Sequence, residues 1–185
     1  MGIGPAARDL YEQLKLKPGR ICELGSQDIH FDNSGLSARE WMEARGWDYT
    51  CIDLDGHAGA RRWDLNTASL ANLSPVDDLF DVVTNHGTSE HIFNQYNVFK
   101  LMHDLTKLDG VMIHAVPTPD FGRKHGYYTY DEIIFSDLSQ ANNYEITHMY
   151  RKDDPYEIIL VVMKKLSNIP FQTPTQGMYA HVSRL

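Results

Sequence analysis

Three carboxylates stand at or just past the ends of three successive runs of strand-forming residues: Glu23 in Arg20-Ile21-Cys22-Glu23-Leu24, Asp53 closing Tyr49-Thr50-Cys51-Ile52, and Asp64 after Arg61-Arg62-Trp63. Carboxylates at the carboxyl ends of parallel strands accept hydrogen bonds from ribose hydroxyls and adenine amines. Acids are also common at strand ends because those ends are exposed. Three in register, beginning at the turn Gly25-Ser26-Gln27-Asp28, favour a nucleoside site. The turn has one glycine where a dinucleotide site carries G-x-G-x-x-G to let backbone nitrogens approach a pyrophosphate, and no P-loop lysine follows. A nucleoside without phosphates suits it better.

Positioning these acids requires alternating strands and helices. Pro5 to Leu16 has helical spacing, with Leu10 and Leu14 on one face, and Lys17-Pro18-Gly19 ends it. Arg20–Leu24 reads as the first strand, Leu36–Gly46 as a helix carrying Leu36, Trp41 and Met42 inward, and Tyr49–Asp53 as the second strand. Arg61–Asp64 is a short third strand, with a helical or turn segment near Thr67–Leu73 and a fourth strand at Leu79–Thr84. Ile92–Leu108 is the longest helix, placing Ile92, Tyr96, Phe99, Met102 and Leu105 on one face. Asp109-Gly110 turns into a fifth strand, Val111–Val116, and a loop leads to a helix near Tyr130–Asn142. Tyr144–Tyr150 and Glu157–Lys164 read as an antiparallel pair joined at Asp153-Asp154-Pro155. The pattern predicts an α/β fold: a mostly parallel seven-stranded sheet with helices on both faces, ending in an antiparallel hairpin.

The chain has 185 residues, which suits one domain, expected over 1–165 with a tail over 166–185 held by Pro170, Phe171, Pro174 and Tyr179. Hydrophobic residues make up 42% of it, enough for a packed core and against disorder. The formal net charge is −8 and the basic residues cluster only in pairs such as Arg61-Arg62 and Lys164-Lys165. A nucleic-acid partner needs a cationic stripe, so none is expected. Cys22 and Cys51 lie in apolar runs and read as buried thiols in a reducing compartment. No apolar run approaches the roughly 20 residues that span a bilayer and no leader pattern opens the chain, so a cytoplasmic protein with no membrane partner is expected.

At this point the chain resembles the class I S-adenosylmethionine-dependent methyltransferases over most of its length. Glu23-Leu24-Gly25-Ser26-Gln27 matches the first half of the family's acid-x-Gly-x-Gly turn, with Gln27 in place of the second glycine. Ile52-Asp53-Leu54-Asp55 is similar to the motif whose acid binds ribose, and Asp64-Leu65 to the element that touches adenine. Phe80–Asn85 resembles the fourth strand, Glu90-His91 the pair opening the next helix, and Lys107–Ile113 the turn into strand five. The resemblance implies a Rossmann-like three-layer sandwich, S-adenosylmethionine as cofactor, and cofactor contacts from Glu23, Gly25, Ser26, Gln27, Asp53, Leu54, Asp64, Leu65, Asn85 and His86. The Gln27 side chain restricts close backbone approach, or uses its amide to hold the cofactor's amino or carboxylate end.

Methyl transfer from a sulfonium is an in-line displacement, helped by holding the acceptor close and, where the acceptor carries a proton, by a base titrating near neutrality. The resemblance places Asn85-His86-Gly87-Thr88-Ser89-Glu90-His91 beside the methyl group. A second cluster, Pro117 to Tyr128, is rich in aromatic, glycine and basic residues directly after strand five and is expected over the same crevice. His125-Gly126-Tyr127-Tyr128, Ala141–Glu145 and Pro174–Tyr179 resemble a subgroup of small bacterial and viral methyltransferases. Candidate catalytic bases are His91, His125 and His86. Against these roles, Glu90 and His91 also suit a helix cap and a packed side chain, and His125 an ordinary loop position. Glu90, Tyr127 and Tyr128 are expected to line the acceptor pocket, and His114, mid-strand, to be a core histidine. His86 and Glu90 share a helical spacing suited to a metal, but Gly87 breaks that helix and no metal is expected. The expected partner is a small polar acceptor, a sugar, amino acid or related metabolite. Two other readings stay open: a cofactor-binding protein without methyl transfer, and a sulfonium-using lyase or cyclase. Oligomeric state is left open.

Overall fold

The computed structural model describes residues 2–71, 79–121, 125–153, 156–175 and 182–184. The chain opens with β1 (Gly2–Ile3) and α1 (Pro5–Leu14), then β2 (Arg20–Leu24), β3 (Asp28–Ile29), α2 (Ala38–Glu43), β4 (Asp48–Asp53) and β5 (Arg61–Arg62). It continues through β6 (Phe80–His86), α3 (Gln95–Leu105), β7 (Thr106–Pro117), β8 (Tyr128–Tyr130), α4 (Glu132–Asn142), β9 (Tyr144–Asp153), β10 (Glu157–Lys165) and β11 (Val182–Arg184). Seven strands form one sheet in the order β5-β4-β2-β6-β7-β10-β9. Neighbours from β5 to β7 are parallel, and β10 runs antiparallel to both β7 and β9. This is the mostly parallel sheet with a terminal antiparallel hairpin that the sequence pattern predicts.

Strand periodicity builds a core on each face. Ile21 and Val82 point to one side with Leu10, Trp41 and Met42 of α1 and α2, while Cys22 and Val83 point to the other with Phe99, Met102, Phe135 and Leu138 of α3 and α4. Both cysteines are buried and unbridged. No helix among the described residues is long and apolar enough to cross a membrane.

Several boundaries move for local chemical reasons. A capping box starts α2 at Ala38: the Ser37 hydroxyl accepts from Glu40 N at 3.2 Å, and Ser37 N donates to the Glu40 carboxylate at 2.9 Å. Leu36 is left outside the helix, partly buried against the core. The Asn94 side chain accepts from Asn97 N at 3.1 Å and caps α3, so Ile92 precedes that helix and Ser89–His91 forms a separate 3₁₀ turn. The other end of α3 stops at Leu105, where the buried Lys165 ammonium donates to the carbonyls of His103 and Thr106 at 2.8 and 2.9 Å. The fourth strand runs on to His86, two residues past the predicted Thr84, and the third is only two residues long. Tyr96, expected inward, is partly exposed and meets the Phe171 ring. Parts of the expected Thr67–Leu73 segment, the Asp153-Asp154-Pro155 turn, the Pro117–Tyr128 cluster and Pro174–Tyr179 lie outside the described residues.

The segment after β10 packs on the body of the domain. Asn142 donates to Gln172 O at 3.0 Å and accepts from Gln172 N at 2.7 Å, and Phe171 is buried. His103 accepts from the Tyr144 hydroxyl at Nδ1 and donates from Nε2 to Ile169 O. β11 pairs antiparallel with β8.

Candidate functional site

The carboxyl ends of β2 and β4 frame the first of two neighbouring cavities that border the segment after β6. Gly25 sits at φ +83°, and a Cβ there lies 2.4 Å from Thr88 Oγ1 and 2.8 Å from Gln27 Nε2, so only glycine fits the turn. The Asp53 carboxylate accepts from Ser26 N at 2.7 Å and ties the turn to β4. The Asp64 carboxylate folds back on Asn66, accepting from its backbone and side-chain nitrogens at 2.9 and 2.8 Å. A cavity of about 350 Å³ results, with Gly25, Ser26, Gln27, Asp53, Leu54, Asp64 and Leu65 on its wall. Gln27 is buried there; its amide nitrogen donates to Thr88 Oγ1 at 3.1 Å and its amide oxygen has no partner.

The second cavity, about 240 Å³, opens on the other side of the segment following β6. His86, Glu90 and His125 line it, with Gly2, Gly4 and Pro5 brought in from the amino-terminal segment. The β1–β3 pairing that delivers this segment is parallel and only two residues long. His86 is buried, with Nε2 hydrogen-bonded to the Tyr11 hydroxyl at 2.9 Å and Nδ1 without a partner. Burial pushes its pKa down to about 4, so the imidazole is neutral at pH 7.

Between the cavities the chain is held by Asn85. Its amide oxygen accepts from Thr88 N and Ser89 N at 3.3 and 3.0 Å, and its nitrogen donates to Ser89 Oγ and His114 Nδ1 at 2.8 and 3.2 Å. His114 is fully buried, and its pKa is driven down to about 3 mainly by desolvation, with His86 adding to the effect. The turn that follows presents Glu90 to the second cavity and His91 to the first. Glu90 is wholly buried and neither carboxylate oxygen has a hydrogen-bond partner. His125 Nε2 lies 3.4 Å from its Oε1 and His91 Nε2 3.9 Å, with the two imidazoles edge to face at 5.0 Å. Desolvation lowers the His91 pKa, partly opposed by Glu90. The loop carrying His125 is pinned to the same residue: Tyr127 N donates to Glu90 O at 2.7 Å, and a Cβ on Gly126 meets that oxygen at 2.9 Å.

No protein-family model matches the sequence, and no curated protein matches it. Solved structures do. The Burkholderia thailandensis 1,6-didemethyltoxoflavin-N1-methyltransferase, with 1,6-didemethyltoxoflavin and S-adenosylhomocysteine bound, superposes with a TM-score of 0.62 at 14% identity, over 88% of this chain and 77% of that one. The N-methyltransferase NodS from Bradyrhizobium japonicum WM9, in complex with S-adenosylhomocysteine, gives 0.60 at 14% identity over 89% of both chains. The glycopeptide N-methyltransferase MtfA complexed with S-adenosylmethionine gives 0.58 at 8% identity over 88% and 93%. The fold is that of the class I S-adenosylmethionine-dependent methyltransferases.

On this methyltransferase fold the expected site residues separate into groups. The seven turn and strand-end residues named above share the first cavity with His91, while His86, Glu90 and His125 share the second. Four expected residues line neither cavity. The Glu23 carboxylate is fully buried between Tyr49, whose hydroxyl donates a very short hydrogen bond to it, and Thr84 Oγ1 at 3.4 Å. Asn85 is consumed by the loop it organises. Tyr128 is buried, its hydroxyl donating to Phe93 O at 3.0 Å, and Tyr127 is exposed against the Phe93 ring. His86, expected beside the cofactor, faces the second cavity instead. Sequence reasoning missed Trp63 and Asn66, which flank Asp64 on the first cavity wall, and Thr88, whose hydroxyl donates to Leu24 O at 2.6 Å. The signal for Trp63 and Asn66 was their adjacency to Asp64 and Leu65, and that for Thr88 its place within the Asn85–His91 run.

Proposed function

We propose that the chain is an S-adenosylmethionine-dependent methyltransferase acting on a small polar acceptor, with the cofactor in the first cavity and the acceptor in the second. The observation carrying this reading is the pair of cavities on either side of Gly87–His91, one bearing the nucleoside-type acids and the other a group of ionisable side chains that includes His86, Glu90 and His125. The first cavity fits the cofactor chemically. Asp53 and Asp64 offer acceptors for ribose and adenine donors, Leu65 and Trp63 offer apolar wall, and about 350 Å³ falls within the usual range for ligand pockets. The orphaned amide oxygen of Gln27 is an acceptor suited to the ammonium at the methionine end. On this reading Gln27 is a grip on that end of the cofactor, which keeps methyl transfer ahead of the reading without chemistry.

When bound, S-adenosylmethionine supplies an electrophilic methyl group. The chain's residues do the rest: Asn85 and Gly126 fix the wall between the cavities, and the burial of Glu90, His86 and Ala115 keeps water from the junction. His125 and His91 are the groups available to take a proton from the acceptor. His86 is too weak a base at neutral pH, and serves to shape the pocket through Tyr11.

Calorimetry with S-adenosylhomocysteine, followed by transfer of labelled methyl from S-adenosylmethionine over a panel of hydroxyl, amine and carboxylate metabolites, tests the proposal. Absence of saturable binding sinks it. Binding without transfer to any acceptor favours a sensor or partner subunit, and breakdown of the cofactor with no acceptor present favours a lyase or cyclase.

A further inference from the structure

Among the described residues, Glu90 is the buried carboxylate with both oxygens unpartnered. A carboxylate with no exposed surface and no hydrogen-bond donor on either oxygen is strongly disfavoured unless a cation or proton meets it. Two imidazole nitrogens lie within 4 Å of its Oε1, beyond hydrogen-bonding geometry. One ligand atom from each of Glu90, His91 and His125 can be chosen so that all lie within 4.8 Å of one another. We propose that these three side chains form a binding site for a divalent first-row transition-metal ion at the junction of the two cavities.

The donor chemistry and spacing support this. Two histidines and one carboxylate are the protein ligands of many zinc sites that keep an open position, and the same set suits iron(II), cobalt and manganese better than magnesium, which prefers oxygen alone. Metal–ligand bonds of about 2.1 Å at tetrahedral angles set ligand atoms about 3.4 Å apart. The Glu90–His125 separation is 3.4 Å and needs no adjustment, and the Glu90–His91 separation of 3.9 Å needs about half an ångström. His91 and His125 are partly exposed, so small ring movements are available to them. Tyr127 N on Glu90 O keeps the two loops in place as the ion binds.

Three protein ligands leave at least one coordination position open. Glu90 and His125 belong to the second cavity, so that position is available to an oxygen donor held there, such as a hydroxyl or carboxylate. The last step rests on the methyl-transfer reading; the ion's binding does not. With the ion in place the imidazoles of His91 and His125 are ligands, and acceptor activation passes from them to the metal.

The test uses the full chain stripped with a chelator and titrated with Co²⁺, followed by its visible absorption and displaced by Zn²⁺. One equivalent per chain is expected. His125→Ala and His91→Ala each lose affinity beyond the roughly 10–100-fold typical of removing an outer partner of a metal ligand. His148→Ala, on β9, leaves it unchanged, and Glu90→Gln abolishes binding, with circular dichroism checking that the variant folds. Acetate is expected to perturb the spectrum of the bound Co²⁺ through the open position, and an unchanged spectrum overturns that part. No saturable Co²⁺ binding, or binding indifferent to His125→Ala, overturns the site itself. S-adenosylhomocysteine binding measured on the same stripped protein reports separately: intact binding without Co²⁺ uptake defeats the metal and spares the methyltransferase reading.

Discussion

Replacing Glu23 by Gln is expected to flatten the pH dependence of stability across the neutral range. Burial raises the Glu23 pKa from 4.5 to about 8, while hydrogen bonds from Tyr49 and Thr84 pull the other way and lose. The folded chain therefore holds a proton that the unfolded chain has released. Stability from this group is fully present below pH 4.5 and declines as pH rises to about 8. Each unit of the shift corresponds to about 1.4 kcal/mol, so the full loss is about 5 kcal/mol by order of magnitude. From pH 5 to pH 7 the wild type is expected to lose about 2–3 kcal/mol more than Glu23→Gln, whose amide keeps an acceptor for the Tyr49 hydroxyl but cannot ionise. Urea unfolding at pH 5, 6 and 7 measures it, provided the m-values agree. Comparing slopes removes any fixed offset from the substitution. Parallel curves for the two proteins refute the argument. Because Glu23 lines neither cavity, S-adenosylhomocysteine affinity is expected to change less than threefold or so, by contrast with the residues on the wall.

Asp53→Ala removes a cavity carboxylate and the anchor of Ser26 N, and is expected to weaken S-adenosylhomocysteine binding by about 1–3 kcal/mol; calorimetry showing unchanged affinity displaces the ribose assignment. Gly25→Ala forces a left-handed backbone on a β-carbon 2.4 Å from Thr88 Oγ1, so a loss of about 1–3 kcal/mol in stability is expected, with a fall in cofactor affinity, read by urea midpoints and calorimetry. Gln27→Ala is expected to reduce S-adenosylhomocysteine affinity several-fold while leaving that of methylthioadenosine, which lacks the amino-acid end, unchanged; equal losses for both ligands place the Gln27 contact elsewhere. His86 has its pKa lowered from 6.5 to about 4 by burial, so its contribution to stability is complete above pH 6.5 and is lost as pH falls through 4, by about 3 kcal/mol in all. Its imidazole resonances are expected to stay constant from pH 5 to 8 in NMR titration, and a midpoint near 6.5 contradicts the buried, neutral assignment.

The sheet was legible because its strands are apolar, short and punctuated by Gly, Pro and Asp, and because period-two alternation separates Ile21 from Cys22 and Val82 from Val83 onto opposite cores. The first cavity was legible for a similar reason: its residues are consecutive in sequence at strand ends, so local order implies spatial order. The second cavity draws Pro5, His30, His86 and Tyr156 from four distant segments, and no spacing rule relates them. Tyr127 and Tyr128 illustrate the limit within a single dipeptide. Adjacent residues in an extended segment face opposite ways, so one is buried under Phe93 O and the other is exposed, and composition alone assigns both to a pocket. Glu23 fails for another reason. The side-chain direction at a strand end decides between cavity and core, and here Tyr49, two residues along β4 from the register partner Cys51 and so on the same face, captures the carboxylate.

The distribution of unsatisfied polar groups gives independent weight to the two-cavity site. Among the described residues, the buried side chains with an unpartnered polar atom are Gln27, His86, Glu90, His114 and Ser167. Each such group costs about 1–3 kcal/mol, so a stable fold tolerates few of them. The neighbouring network shows that the fold can satisfy its buried polar groups where nothing else requires otherwise. Asn85 uses both donors and its acceptor oxygen, and Tyr130 bonds to Ser89 and Gln95, whose amide in turn donates to the carbonyls of Ser89 and Ile92. Gln27, His86 and Glu90 are orphaned within a few residues of that network, and all three line one or other cavity. Three of the five fall at the cavities, beside a network in which only His114 Nε2 lacks a partner, as a site awaiting polar ligands requires: a donor for the Gln27 oxygen and a cation for Glu90 relieve two of these costs on binding, and stability is expected to rise with ligand concentration accordingly.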